Sequence, residues 1–145
     1  MNKSLVFGWI TALIAMLGSL TFSEVLHFIP CELCWYQRIL MYPLAIVLGV
    51  AVYRNDTFIY KYVLPFSVIG MALSGYHYCL QKIPALKAFE TCTSGVPCSG
   101  QYINWLGFIT IPFLAFIAFT IITIMMLVLR KQTKKSLTYG LSFFV

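Results

Sequence analysis

Long apolar runs alternate with short polar joints along the chain. Four runs stand out, near residues 5–26, 34–53, 60–80 and 103–129. Each is long enough to cross a hydrocarbon core, which takes about 20 residues as helix. Inside a bilayer the backbone N–H and C=O groups find no water, so runs of this length are expected to be helical throughout. The joints are too short to hold a separate soluble unit. The pattern predicts one all-α domain over residues 1–145, an integral membrane four-helix bundle.

Detail within the runs refines this picture. Gly8, Ala12, Ala15 and Ser19 recur at helical spacing in the first run, and Ser67, Gly70 and Ser74 do so in the third. Such stripes let helix backbones approach closely in lipid, and they read as packing seams. The first run follows Lys3, yet it is long for a signal-peptide core and no small-x-small site follows it, so an uncleaved helix is expected. Glu24 and His27, at i and i+3, would share a face near its outer end, as a proton relay or as solvated interface groups. Pro30 ends the first helix or its loop, Pro43 predicts a kink in the second, and Pro112 offers another in the fourth.

Composition strengthens the membrane assignment. The chain is 61% hydrophobic and 10% charged, against about 45–50% and 25% in soluble domains. The net charge of +6 does not indicate nucleic-acid binding, because the cations sit at segment ends rather than along one groove. They report orientation instead. Lys3, Arg54, Lys61, Arg130, Lys131, Lys134 and Lys135 fall at one end of the predicted bundle, and Arg38, Lys82 and Lys87 at the other. The asymmetry predicts both termini in the cytoplasm and two extracytoplasmic loops. Cys31, Cys34, Cys92 and Cys98 then face the compartment where disulfides persist.

Those cysteines carry the candidate chemistry. In Cys31-Glu32-Leu33-Cys34 the two thiols stack on one face at the start of the second helix, and Arg38, four residues after Cys34, joins that face. A helix N-terminus and a guanidinium both favour thiolate over thiol. Arg38 is either snorkelling to headgroups or serving the site, and the cost of a buried cation favours the site. His77 follows Ser74 on nearly the same face of the third helix, suited either to a quinone carbonyl or to a neighbouring backbone oxygen. Cys79 lies on a different face and is expected to be a small buried hydrophobe.

In the second outer loop Gly95 and Pro97 mark a turn that can bring Cys92 and Cys98 to disulfide distance. So short and polar a loop would leave that disulfide accessible to a partner protein, or merely stapled. Tyr102 and Trp105 suit the interface above the fourth helix. Arg130 to Lys135 anchor its other end, with no structure assigned to the tail, residues 137–145. Gly-rich phosphate loops, zincin motifs and Ser/His/Asp patterns are absent.

Two outer pairs in one compartment suggest an electron relay by thiolate attack on sulfur. A lipid-soluble quinone between helices is the natural acceptor. The same residues resemble the DsbB/BdbC disulfide-bond formation proteins of bacteria. The resemblance rests on Cys31-Glu32-Leu33-Cys34-Trp35-Tyr36-Gln37-Arg38, on His77 with Leu80-Gln81, on Cys92 with Cys98, and on Trp105-Leu106-Gly107 followed by Pro112. It implies a thiol:quinone oxidoreductase of the bacterial cytoplasmic membrane, which re-oxidises a DsbA/BdbD-like thioredoxin-fold partner and reduces menaquinone or ubiquinone. By motif position, Cys34 would sit nearest the quinone, Cys31 would exchange with the loop, and Arg38 and His77 would line the quinone site. Cys92 would form the mixed disulfide with the partner, and Cys98 would resolve toward Cys31.

Three rivals differ in kind. A structural protein with stapled loops would lose stability, but no thiol oxidation, on loss of either pair. A four-cysteine metal site sits poorly with an oxidising compartment and loose spacing. A vitamin K epoxide reductase-like enzyme would carry its quinone-site pair after its loop pair, whereas here Cys-x-x-Cys comes first.

Overall fold

The computed structural model describes residues 2–90, 92, 95–100 and 106–142. Among these, four helices are long and apolar enough to cross a membrane. They are α1 (Lys3–Leu20), α2 (Glu32–Arg54), α3 (Tyr60–Lys82) and α4 (Ile111–Ser142). Each packs chiefly on its two neighbours in a ring ordered α1, α2, α3, α4.

Small residues set how closely the helices approach. At Gly70 of α3 a Cβ would collide with the ring of Phe119 of α4, which is fully buried there. Gly8 of α1 meets Met126 in the same way, with 3.2 Å left for a Cβ. Thr123 of α4 donates to Ser67 of α3 at 3.0 Å, so the seam also carries a hydrogen bond between helices. The predicted third-helix stripe is buried along its length, at Ser67, Gly70, Ser74 and His77. The first-helix stripe divides. Gly8 and Ala12 are buried in the core, while Ala15 and Ser19 border a cavity.

Helix ends follow local chemistry. Asn55 closes α2 in the left-handed region at φ 52°, and the Asp56 carboxylate accepts from Phe58 N at 2.9 Å to start the next turn. At the other end α1 widens into a π-helical turn, Thr21–Val25, where Leu26 N reaches back to Thr21 O at 3.1 Å. Such turns gather at functional sites, and Phe22 of this one lines the cavity.

Three expectations are corrected here. The Glu24/His27 helical face does not form. The helix ends at Val25, His27 adopts φ 52°, and both side chains are exposed. The fourth helix begins at Ile111, not near 103. Leu106 and Gly107 turn the chain with φ of 54° and 81°, and Pro112 occupies the first helical turn that suits it. Ile103, Tyr102 and Trp105 lie outside the described residues. Finally, α4 continues through the basic segment to Ser142. The charges ended the apolar run but not the helix, because Lys, Arg, Gln and Leu are good helix formers.

Candidate functional site

Cys31 is the N-cap of α2 and Cys34 lies in its first turn, so the helix start itself positions both sulfurs, 3.2 Å apart as free thiols. Across the bundle, α3 brings up His77, whose Nε2 lies 3.6 Å from Cys31 Sγ and 3.1 Å from the Cys98 carbonyl oxygen. Gln37 of α2 closes the network with its amide nitrogen 3.0 Å from His77 Nδ1. Cys31, Cys98 and His77 are all nearly inaccessible, at 6%, 0% and 1% exposure.

The second pair is joined as the Cys92–Cys98 disulfide, with Cα atoms 6.0 Å apart. Its Cys98 lies in one buried cluster with Cys31, Leu33 and Leu80, against which Cys92 and Cys34 also pack. The sequence suggests a loop with little to immobilise it and an accessible disulfide. Several ties hold it instead: Ser99 N donates to Glu90 Oε1 at 3.0 Å, Ser99 Oγ to Oε2 at 3.1 Å, and the Gln81 amide to Gly100 O at 2.9 Å. Cys92, only half-buried, is the accessible member, and Cys98 is sealed against the helices.

A cavity of about 460 Å³ opens beside the thiols between α1, α2 and α4. Its wall is largely apolar, with Arg38, His77, Gln37 and Ser19 as polar points. Arg38 is held in place there. Its Nε donates to Ser19 Oγ at 3.0 Å and its Nη2 to the Ser19 carbonyl at 3.1 Å, with the guanidinium 5.5 Å from the Trp35 ring centroid. One turn deeper, the Tyr42 hydroxyl is buried without a hydrogen-bond partner among the described residues.

Cys31 stands outside the membrane-spanning part of α2, and its thiol is lowered to about 4. The leading cause is the hydrogen bond from the Cys34 thiol; burial opposes it, and His77 adds to it. One proton shared by two close sulfurs makes one of them a thiolate.

The structure thus gathers Cys31, Cys34, His77 and Cys98 at one point and puts Arg38 in the cavity wall, while Glu24 and His27 are exposed. Cys79 is half-exposed rather than the buried hydrophobe expected, because its face of α3 turns away from the ring. The residues missed from the sequence are Gln37, Tyr42 and Ser19. Gln37 and Tyr42 were visible as polar groups within an apolar run, on the Cys34 and Arg38 side of the helix. Ser19 reads from the sequence as a packing residue alone.

Fold and site define a class, a multi-pass membrane protein in which a buried dithiol adjoins a loop disulfide. A family model for the disulfide bond formation protein DsbB matches residues 2–129. The chain belongs to this family, whose members are oxidoreductases. It is 60% identical over 135 residues to disulfide bond formation protein C of Bacillus subtilis, covering 91% of this chain and 98% of that one. It is 53% identical to a probable disulfide formation protein C of Halalkalibacterium halodurans, covering 90% and 96%. A probable disulfide formation protein of Coxiella burnetii is 50% identical over 81% of this chain and 80% of its own. No solved structure gives a significant match.

Proposed function

We propose that this protein is a membrane thiol:quinone oxidoreductase that re-oxidises an extracytoplasmic thioredoxin-fold thiol oxidase. The observation that carries the reading is the two-sided setting of one dithiol: Cys31 shares a buried cluster with Cys98 of the loop disulfide, bridged by His77, and Cys31 and Cys34 together border the cavity. The surplus of cations at the opposite end supports placing the cysteines outside.

The relay balances without any further oxidant in the protein. A partner thiolate attacks Cys92, forming a mixed disulfide and releasing Cys98 as thiolate. Cys98 attacks Cys31 in an oxidised Cys31–Cys34 pair, which joins Cys98 to Cys31 and frees Cys34. The partner's second thiolate then resolves the mixed disulfide and leaves oxidised. Cys92 attacks Cys98, restores the loop disulfide and releases Cys31. Two electrons now rest on Cys31 and Cys34, the arrangement of free mouth thiols and closed loop disulfide described above.

The cavity fits a quinone head group, and the orphaned Tyr42 hydroxyl is the observation that tests the fit, since a buried phenol without a partner calls for one. Arg38 and Tyr42 would hold the head group, with the apolar wall against its ring; His77 borders the site, but both its ring nitrogens are engaged by Gln37 and the Cys98 carbonyl. When bound, a quinone accepts two electrons and two protons from the dithiol. Arg38 supplies a fixed positive charge, and Cys34 lies in the same wall. The test is quinone reduction by purified protein with a reduced thioredoxin-fold donor. Reduction stoichiometric with donor oxidation is expected, and turnover unaffected by Cys34→Ser would refute this electron exit.

A further inference from the structure

We infer that Gln37 is a positioning residue for exchange between the two cysteine pairs, fixing the His77 ring so that its Nε2–H ties the Cys98 carbonyl beside Cys31. The inference rests on the relay proposed above and assigns a role to a residue which that relay does not use.

The polarity of the network follows from a single group. A backbone carbonyl only accepts, so at 3.1 Å from Cys98 O the His77 Nε2 must carry the hydrogen. In the neutral ring Nδ1 then presents a lone pair. Gln37, 6% exposed, is the group facing it at 3.0 Å, and its amide N–H is the matching donor. With Nδ1 so engaged, the ring cannot rotate without losing two buried hydrogen bonds. The same Nε2 stands 3.6 Å from Cys31 Sγ, so one N–H marks the point where α2, α3 and the loop meet.

Among the described residues, further ties of the loop join Glu90 to Ser99, Gln81 to Gly100 and Tyr76 to Phe89. The His77 bond is made at the cysteine itself. When Cys98 attacks Cys31, an S98–S31 bond forms, the S31–S34 bond breaks, and Cys34 leaves as a thiolate that takes its proton from water. Holding the Cys98 backbone beside Cys31 removes the orientational cost of that step in advance. Gln37 acts on it only through His77.

The chain has 2 histidines, so 15N-histidine labelling, with His27→Asn for assignment, isolates the His77 ring by NMR. Wild-type protein is expected to show hydrogen on Nε2 and a hydrogen-bonded, unprotonated Nδ1. Hydrogen on Nδ1 alone in the wild type overturns the inference, whatever the variants do. Gln37→Glu turns donor into acceptor and is expected to bring hydrogen to Nδ1. Gln37→Met keeps the volume, abolishes the donor and should lose the hydrogen-bonded Nδ1 signature.

The kinetic arm adds one equivalent of dithiothreitol to oxidised protein, quenches with acid over time, and maps loop against mouth thiols by alkylation and mass spectrometry. Gln37→Met is expected to slow transfer between the pairs about tenfold, the scale of one buried hydrogen bond. An unchanged rate, or an unchanged Nδ1 signal in both variants, refutes the assignment. No quinone enters this assay. Normal exchange between pairs in wild-type protein that cannot reduce quinone would overturn the proposed electron exit and leave the Gln37 assignment intact.

Discussion

Arg38 grips Ser19 at two points, the hydroxyl at 3.0 Å and the backbone carbonyl at 3.1 Å, and thereby joins α2 to α1 at the rim of the cavity. The two bonds come from two different nitrogens of the planar guanidinium, a geometry that a single ammonium does not reproduce. Arg38→Lys should therefore behave as a loss, lowering kcat/KM for quinone about tenfold or more, whereas Ser19→Ala, which spares the carbonyl contact, should cost about threefold. Steady-state quinone reduction by both variants checks the order.

Tyr42→Phe removes a hydroxyl that has no partner among the described residues. Folding should not suffer, so Tm should hold or rise slightly. Affinity for quinone should fall, with KM rising about fivefold to tenfold if the phenol bonds the ligand. A lower Tm with unchanged KM would assign the hydroxyl to folding instead.

Cys98→Ser should accumulate a mixed disulfide with the partner through Cys92. Cys92 is half-buried and Cys98 sealed, so the surviving thiol is the one a partner can reach. Non-reducing gels should show the adduct in Cys98→Ser and not in the variant lacking Cys92 as well.

In the reduced protein Cys31 is held at about 4, against about 8.5 for an unfolded cysteine. The depressed value means that its stabilising contribution is fully present above the unfolded value and is lost as pH falls through the folded one. Ultraviolet thiolate absorbance of reduced protein, less that of Cys31→Ser, should persist through neutral pH and fall near pH 4. A midpoint near the ordinary thiol value would contradict the Cys34 and His77 contacts.

Packing predicts a contrast between two glycines of α3. A methyl at Gly70 meets the buried Phe119 ring, so Gly70→Ala should destabilise by about 1–3 kcal/mol. At Gly75 the added Cβ finds Phe116 at 3.5 Å, ordinary contact, and Gly75→Ala should be neutral. Thermal unfolding in detergent separates the two.

The bundle was legible because a bilayer leaves the backbone no choice but helix, and apolar length alone shows it. Element ends were less legible where two signals disagree. At Leu106 and Gly107 an apolar composition hides a left-handed turn, and past Arg130 a charged composition hides a continuing helix. Within the site, local spacing put Cys31, Cys34 and Arg38 together on one element. The meeting of Gln37 with His77, and of His77 with the Cys98 carbonyl, joins residues on separate elements through contacts that no local periodicity encodes. The loop was misjudged for the same reason, since the Glu90 to Ser99 bonds that hold it depend on its folded shape.

The 32 residues of α4 make a rod of about 48 Å, well beyond the roughly 30 Å of oil it has to cross. Its surplus stands out at the end away from the sulfurs, with Arg130 and Lys131 as a collar where it leaves the lipid. A collar that prefers headgroups fixes how high the rod rides. Phe119 and Pro112 are mounted on the same shaft, so charge at its foot sets the level of one cavity wall about 16–27 Å away.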